Sequence, residues 1–493
     1  MRVAMVSAEM VPFAKVGGLG DVVGALSKEL QAGGHDVVVF LPHYRDIHPS
    51  RHPGLTFEPA GEVEIGMGST SARATITLAT IRETGVRLGL IGNEGYYHRP
   101  DPYVDPATGQ DWPDNDERFI LFSRAVLESF PRLGWFPEVI HCNDYQSGII
   151  PILLRERHQG HPGYDRVATV FSIHNVGYQG IFPQETLWKI EVGPVLARPT
   201  GPLEYYGKVN FMKAAILYAD VITTVSERYA QEIQSGNEYG FGLEGVLRSR
   251  SEDLLGIRNG IDQDLWNPAT DPLLPFNFTS KDLAGKKQNK VRLLESMNLP
   301  VEPDVPLVGI ISRLVDQKGF DLFEAIAPQL FSERLKIAIL GSGMPRYEEL
   351  LRGLREKHPN KLSVALEFNE PLAHLIEAGS DFFLMPSRYE PCGLNQMYSQ
   401  RYGTVPIVRA TGGLADTVQD YDPQTGRGSG FVFEEYAPEP LLATIRRALA
   451  AYEKKRPFKK LVTDIMKIDH SWASAAAKYV EVYRKVAARR SRA

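Results

Sequence analysis

Short apolar runs alternate with segments of helical periodicity along nearly the whole chain, the pattern of βαβ units built around a parallel sheet. Residues 3–6 read as a buried strand, 21–31 as a helix closed by Gly33 and Gly34, and 37–41 as the next strand. Between about 56 and 93 the pattern changes to strict alternation, with a turn at Glu83-Thr84-Gly85, and predicts an antiparallel insertion. Parallel character resumes with strands at 139–141, 168–173 and 221–225. A second series follows at 307–311, 336–340, 363–366, 382–385 and 405–408, with helices between them, and predicts a second doubly wound domain. The stretches 267–275 and 299–306 read as connecting loops, because apolar residues persist through them. The last element is a helix over 471–486, where Trp472, Ala476, Tyr479, Val480 and Tyr483 recur at spacings of three and four. Its partner surface is not legible from its own pattern.

Composition narrows the class without naming a chemistry. The 493 residues exceed one small domain and suit two large ones. Apolar residues at 43% and charged residues at 23% fit a globular chain with a sizeable core and argue against disorder. The net charge of −5 offers no general attraction to nucleic acid or to an anionic membrane, so any anion must be gripped locally. Two cysteines, Cys142 and Cys392, are too few for a disulfide framework and lack zinc-site spacing, which points to a reducing, cytoplasmic setting. Glu9 and Lys15 interrupt the apolar start before it reaches signal-peptide length, and no run approaches the ~18 residues that span a bilayer. Glycine is in excess, 44 of 493 or about 9% against a usual ~7%.

Several loops at predicted strand ends carry candidate chemistry. In Lys15-Val16-Gly17-Gly18-Leu19-Gly20-Asp21, amides freed by glycine, the following helix and a lysine suit a phosphate; a tight strand-to-helix turn uses the same glycines. The spacing is neither the dinucleotide fingerprint nor a phosphate loop ending in Gly-Lys-Ser/Thr. In Ser312-Arg313-Leu314-Val315-Asp316-Gln317-Lys318-Gly319, two cations five residues apart suit a diphosphate, although a solvated loop reads the same. Glu390, in Ser387-Arg388-Tyr389-Glu390-Pro391-Cys392-Gly393-Leu394-Asn395-Gln396, is a candidate acid or a helix cap, and Cys392 a small buried residue. His174, in Ser172-Ile173-His174-Asn175-Val176-Gly177, and Asp144, in His141-Cys142-Asn143-Asp144-Tyr145, are structural or catalytic. No His/Cys/Asp cluster has metal-ligand spacing, so neither a metal nor another cofactor is expected.

Taken together in this order, with Gly242-Leu243-Glu244-Gly245, Arg258-Asn259-Gly260-Ile261-Asp262 and the run from Arg409 through Gly412, Gly413 and Asp416 to Val418, these stretches resemble the glycogen/starch synthase family of retaining glucosyltransferases. The resemblance implies a GT-B type α/β fold, two doubly wound Rossmann-like domains facing across a cleft. It divides the chain into an N-terminal, acceptor-side domain over 1–257 that includes the antiparallel insertion, a C-terminal nucleotide-sugar domain over 258–468, and a helix over 469–493 crossing back to the N-terminal domain. It implies transfer of glucose from ADP-glucose to an α-1,4-glucan with release of ADP, in an enzyme that keeps to the cytoplasm, without nucleic acid or membrane partners, and that forms oligomers or stays single. UDP-glucose as donor, a starch-like acceptor, and a catalytically dead glucan-binding protein are the alternatives. A dinucleotide-dependent oxidoreductase shares the two-domain pattern but needs a Gly-x-Gly-x-x-Gly that follows no strand here.

Residue by residue, the resemblance makes Lys15 the sugar-nucleotide lysine, with Gly17 and Gly18 as diphosphate-facing amides. Arg313 and Lys318 become the pair that neutralises the leaving diphosphate, and Glu390 the essential acid beside the donor glucose. Cys392, Gly393 and Leu394 form the backbone around that sugar and its phosphate, and Asn395 joins them as a donor-binding residue. His174 lies against the transferred glucose, while Asp21, Asp144, Asn175 and Asn259 line the cleft. Three positions depart from the family pattern: Tyr145 in place of tryptophan, Phe368 in place of tyrosine, and Tyr398 eight after Glu390, where many other GT-B transferases carry a second glutamate.

Overall fold

A computed structural model describes residues 1–367 and 369–490, so Phe368 lies outside the described residues. The chain separates into two compact units, residues 1–260 with 472–493, and residues 261–471.

The first unit is organised on a nine-stranded sheet. In spatial order its strands are Leu254–Gly256, Val221–Thr224, Ala168–Ile173, Val139–Asn143, Arg2–Val6, Asp36–Pro42, Arg87–Gly92, Thr70–Ile81 and Leu55–Met67. The first seven run parallel; the last two are antiparallel to their neighbours. Val3, Ala4, Met5 and Val6, like Val37 to Leu41, are buried from end to end, as central strands covered on both faces must be. The insertion is therefore only partly antiparallel. Arg87–Gly92 pairs parallel with Asp36–Pro42 on one side and antiparallel with Thr70–Ile81 on the other, so it extends the main sheet. Its Leu88, Leu90 and Ile91 are fully buried, a near-continuous apolar run that belongs with the parallel strands.

The first helix, Gly18–Ala32, starts three residues earlier than its apolar periodicity predicts, because Leu19 is buried and the loop folds back on Gly20, with Val11 N–H donating to Gly20 O at 3.0 Å. A small sheet of Ile181–Phe182, Lys208–Asn210 and Glu204–Tyr205 was not legible, since two- and three-residue strands carry no period. Trp472–Arg490 is the closing helix and belongs to this unit. Tyr483 and Tyr479 sit against the buried His141, whose Nδ1 is 2.7 Å from the Tyr483 hydroxyl, and Arg490 Nε donates to Asp220 Oδ1 at 2.8 Å.

The second unit carries a six-stranded parallel sheet in the order Leu362–Ala365, Lys336–Leu340, Leu307–Ile311, Phe382–Met385, Val405–Arg409, Phe431–Phe433. Counted in chain order this is 3-2-1-4-5-6, the doubly wound arrangement with its switch point between Leu307–Ile311 and Phe382–Met385. Tyr398 is buried here and stacks on Trp266 at 3.8 Å, so the position at which other transferases carry a second glutamate is part of an aromatic core.

Candidate active site

Ligands of open α/β sheets bind beyond the carboxyl ends of the strands, where the strand order reverses. In the second unit the two loops leaving that point are 312–319 and 386–395. Lys318 Nζ meets Glu390 Oε2 at 2.6 Å, and the Ser387 hydroxyl donates to the same oxygen at 3.0 Å. Glu390 is buried, so this ion pair is shielded and charge-assisted, and it converges the two loops on one carboxylate. The turn beneath it is fixed from the neighbouring loop: Gly413 N–H donates to Glu390 O at 3.1 Å. A Cβ at Gly413 would collide with the Cys392 backbone, so this glycine is required by close approach. Gln317 adds a further tie, Nε2 donating to Tyr389 O at 3.1 Å, while Arg313 is exposed on the same loop.

Asn395 is tied to the strand end by its side-chain amide. Its Nδ2 donates to Ile311 O at 2.8 Å and fastens the helix Asn395–Arg401 to the end of a central strand. Cys392 is buried, Gly393 holds a left-handed φ of 65°, and Leu394 caps that helix.

In the first unit the corresponding loop follows Arg2–Val6. Lys15 Nζ pairs with Asp21 Oδ1 at 2.8 Å. The Gly17 amide is not free: Glu9, buried, takes Val16 N–H at 2.6 Å and Gly17 N–H at 2.9 Å on its Oε2, and the Tyr103 hydroxyl at 2.7 Å on its Oε1. An internal carboxylate thus holds the loop in shape where sequence reasoning placed an amide for a diphosphate. Gly17 itself has an extended backbone, and a Cβ there would meet nothing within 4 Å, so neither strain nor packing asks for glycine. Gly18 is the first residue of the helix.

The loops after the two neighbouring strands interlock. Asp144 has φ 53° and ψ −178°, a region side chains rarely occupy, and its Oδ1 accepts His174 N–H at 2.8 Å. Burial pushes its carboxyl up to about 7, against the opposing pull of the His174 and Asn175 backbone N–H groups. His174 Nε2 is 2.9 Å from Asn143 Oδ1, and burial lowers the imidazole to about 3, so the ring is neutral. Asn175 closes a local turn, accepting Gly177 N–H at 2.9 Å. Asn259 is buried, with Oδ1 unpartnered among the described residues.

Sequence reasoning missed Glu9, Tyr103, Asn143, Gln317 and Ser387 as shapers of these loops. Only the proximity of Ser387 to Glu390 in sequence was a usable signal. Among the described residues no group of three or more His, Cys, Asp or Glu is placed to hold a metal ion, and no helix is long and apolar enough to cross a membrane.

Two family models match, the starch synthase catalytic domain over residues 2–249 and the glycosyl transferases group 1 over residues 295–461. Among similar relatives, the glycogen synthase of Koribacter versatilis is 46% identical over 490 residues, covering 98% of each chain. That of Desulforudis audaxviator is 47% identical over 495 residues, covering 98% of this chain and 96% of the relative. A solved structure of the catalytic domain of starch synthase IV from Arabidopsis thaliana, bound to ADP and acarbose, matches with a TM-score of 0.90 at 35% identity over 99% of both chains. Sucrose-phosphate synthase from Thermosynechococcus elongatus, at TM-score 0.60 and 18% identity over 99% of both chains, shares the fold. The chain belongs to the glycogen/starch synthase family of retaining glucosyltransferases, with two Rossmann-like domains of the GT-B type.

Proposed function

We propose that the chain transfers glucose from ADP-glucose to the end of an α-1,4-glucan, releasing ADP, with no metal or other cofactor and in the cytoplasm. The observation that carries this reading is the convergence of Lys318 and Ser387 on the buried carboxylate of Glu390 at the switch point of the second sheet. The ADP and acarbose in the Arabidopsis structure, 35% identical over nearly the whole chain, support an adenine nucleotide as donor product and a glucan-like acceptor.

Cleavage of a sugar–diphosphate bond leaves negative charge on the phosphate and positive charge on the sugar, so the protein's contribution is mainly electrostatic preorganisation. In this reading Lys15, Arg313 and Lys318 take up the diphosphate charge, which requires Lys15 and Lys318 to exchange their carboxylate partners for phosphate oxygens. Glu390 and His174 face the sugar. Asp21, Asp144, Asn175 and Asn259 keep the polar lining, and the turn of Cys392, Gly393 and Leu394 the backbone around the phosphate. The departing phosphate takes the acceptor hydroxyl's proton on the face it leaves from, which gives retention.

The test is glucose incorporation into a glycogen primer from labelled ADP-glucose and UDP-glucose, compared by kcat/KM, with the anomer of the new linkage read by NMR. The expected result is α-linked product and a preference for ADP-glucose. A preference for UDP-glucose overturns the donor assignment, an inverted anomer overturns the same-face route, and no incorporation from either donor overturns the reading.

A further inference from the structure

Asn143 ends the strand Val139–Asn143, beside the strand that leads into His174, and is 1% exposed. An amide and a neutral imidazole can each donate or accept, so the 2.9 Å contact between Asn143 Oδ1 and His174 Nε2 does not by itself say where the proton lies. The other end of the amide decides it. Asn143 Nδ2 donates to Val6 O and to His141 O, each at 3.2 Å. Turning the amide over would set its oxygen against two carbonyl oxygens in a buried place, losing both bonds and adding repulsion. Oδ1 therefore faces the ring, and because an amide oxygen only accepts, Nε2 carries the hydrogen and Nδ1 keeps a lone pair.

We propose that Asn143 is a positioning residue that holds His174 in the Nε2–H tautomer, so that Nδ1 accepts a hydrogen bond from a hydroxyl of the glucosyl substrate. The inference rests on the reading that places His174 against the sugar. It gives that residue a defined part: an acceptor that orients a hydroxyl, with no proton of its own to give the leaving group. The groups facing the ring fit this assignment. Asp144 binds the His174 backbone N–H and not the ring, Asn143 is neutral and the nearby buried His141 is itself neutral, so among the described residues these groups do not stabilise a charged imidazole and the tautomer is the variable.

The test is a long-range proton–nitrogen correlation on the intact, 15N-histidine-labelled protein, with His174 assigned by loss of its signals in His174→Gln. The wild type is expected to show a single neutral tautomer protonated at Nε2; an Nδ1–H form overturns the proposal even if every variant misfolds. Asn143→Ala, which removes the acceptor, is expected to give mixed tautomers and to lower kcat/KM roughly tenfold or more. Unchanged tautomers in that variant overturn the positioning role. His174→Ala with wild-type kcat/KM would remove the sugar contact and leave the tautomer result standing, which separates the failure of the underlying reading from the failure of this one.

Discussion

Lys15 and Lys318 each rest on a carboxylate of their own unit, Asp21 and Glu390, and the two pairs differ in setting. The Lys15 side chain is 42% exposed, so its pair contributes little to stability and leaves the lysine ready to move; the Lys318 pair is shielded. Replacing Lys15 or Arg313 by alanine should therefore leave folding nearly intact while lowering kcat/KM by ~10² or more, through loss of a charge-assisted contact to the diphosphate. Steady-state kinetics alongside a thermal melt checks both halves of that statement, and near-wild-type kinetics in either variant refutes its role. Asp144 makes a prediction of the opposite kind. Its folded carboxyl is raised to about 7 from 3.8, so between those pH values the folded chain holds a proton that the unfolded chain releases. Stability from this group is present below about pH 4 and is lost as pH rises towards 7. Asp144→Asn, which keeps an acceptor for the His174 amide, should gain stability over the wild type as pH rises across that window, by up to about 4 kcal/mol. Denaturant midpoints at pH 5 and 8 decide it; an equal difference at both pH values rejects the assignment.

At the scale of elements, the chemistry sits on short loops whose shape is imposed by neighbours. The Glu390 turn is held by Ser387, Gln317 and Gly413, and the Lys15 loop by Glu9 and Tyr103. The closing helix Trp472–Arg490 shows the same dependence at larger size. Trp472, Ala475, Ala476, Tyr479, Val482, Tyr483 and Val486 are buried, and the helix covers His141, whose other ring nitrogen is 2.6 Å from Ser172 Oγ in the strand next to it. Truncation before Trp472 would uncover several large side chains, each worth roughly 1.5–3 kcal/mol on burial, and leave a buried histidine without its tyrosine. Soluble, folded protein is expected to be lost, as read by gel filtration and circular dichroism. A truncated chain that melts like the wild type would show the helix to be dispensable.

For the whole molecule, Arg313 and Lys318, proposed above to act on one diphosphate, lie on the same loop, 312–319, of one unit. Groups that act on one ligand do not contribute independently. The Arg313→Ala/Lys318→Ala double variant is therefore expected to lose less than the product of the two single losses, measured as kcat/KM in a double-mutant cycle. Losses that multiply would mean that the two cations act independently and would reject the coupling.

The sequence alone determined the fold class, the positions of most central strands and the family, because buried parallel strands are continuous apolar runs and the loop motifs recur in a fixed order. Strands 168–173, 307–311, 336–340 and 382–385 fall where the apolar pattern places them, since burial on both faces leaves no other composition open to them. Tertiary structure decided what each loop residue does. Nothing in the local sequence says that Glu9 claims the Gly17 amide, that Asn395 is spent on Ile311, or that Asn143 faces His174. Those partners are 8, 84 and 31 residues apart, and a hydrogen bond between distant residues leaves no period to read. The strand Arg87–Gly92 lies between the two cases: its residues announce a buried strand, but only its two neighbours make it parallel on one edge and antiparallel on the other.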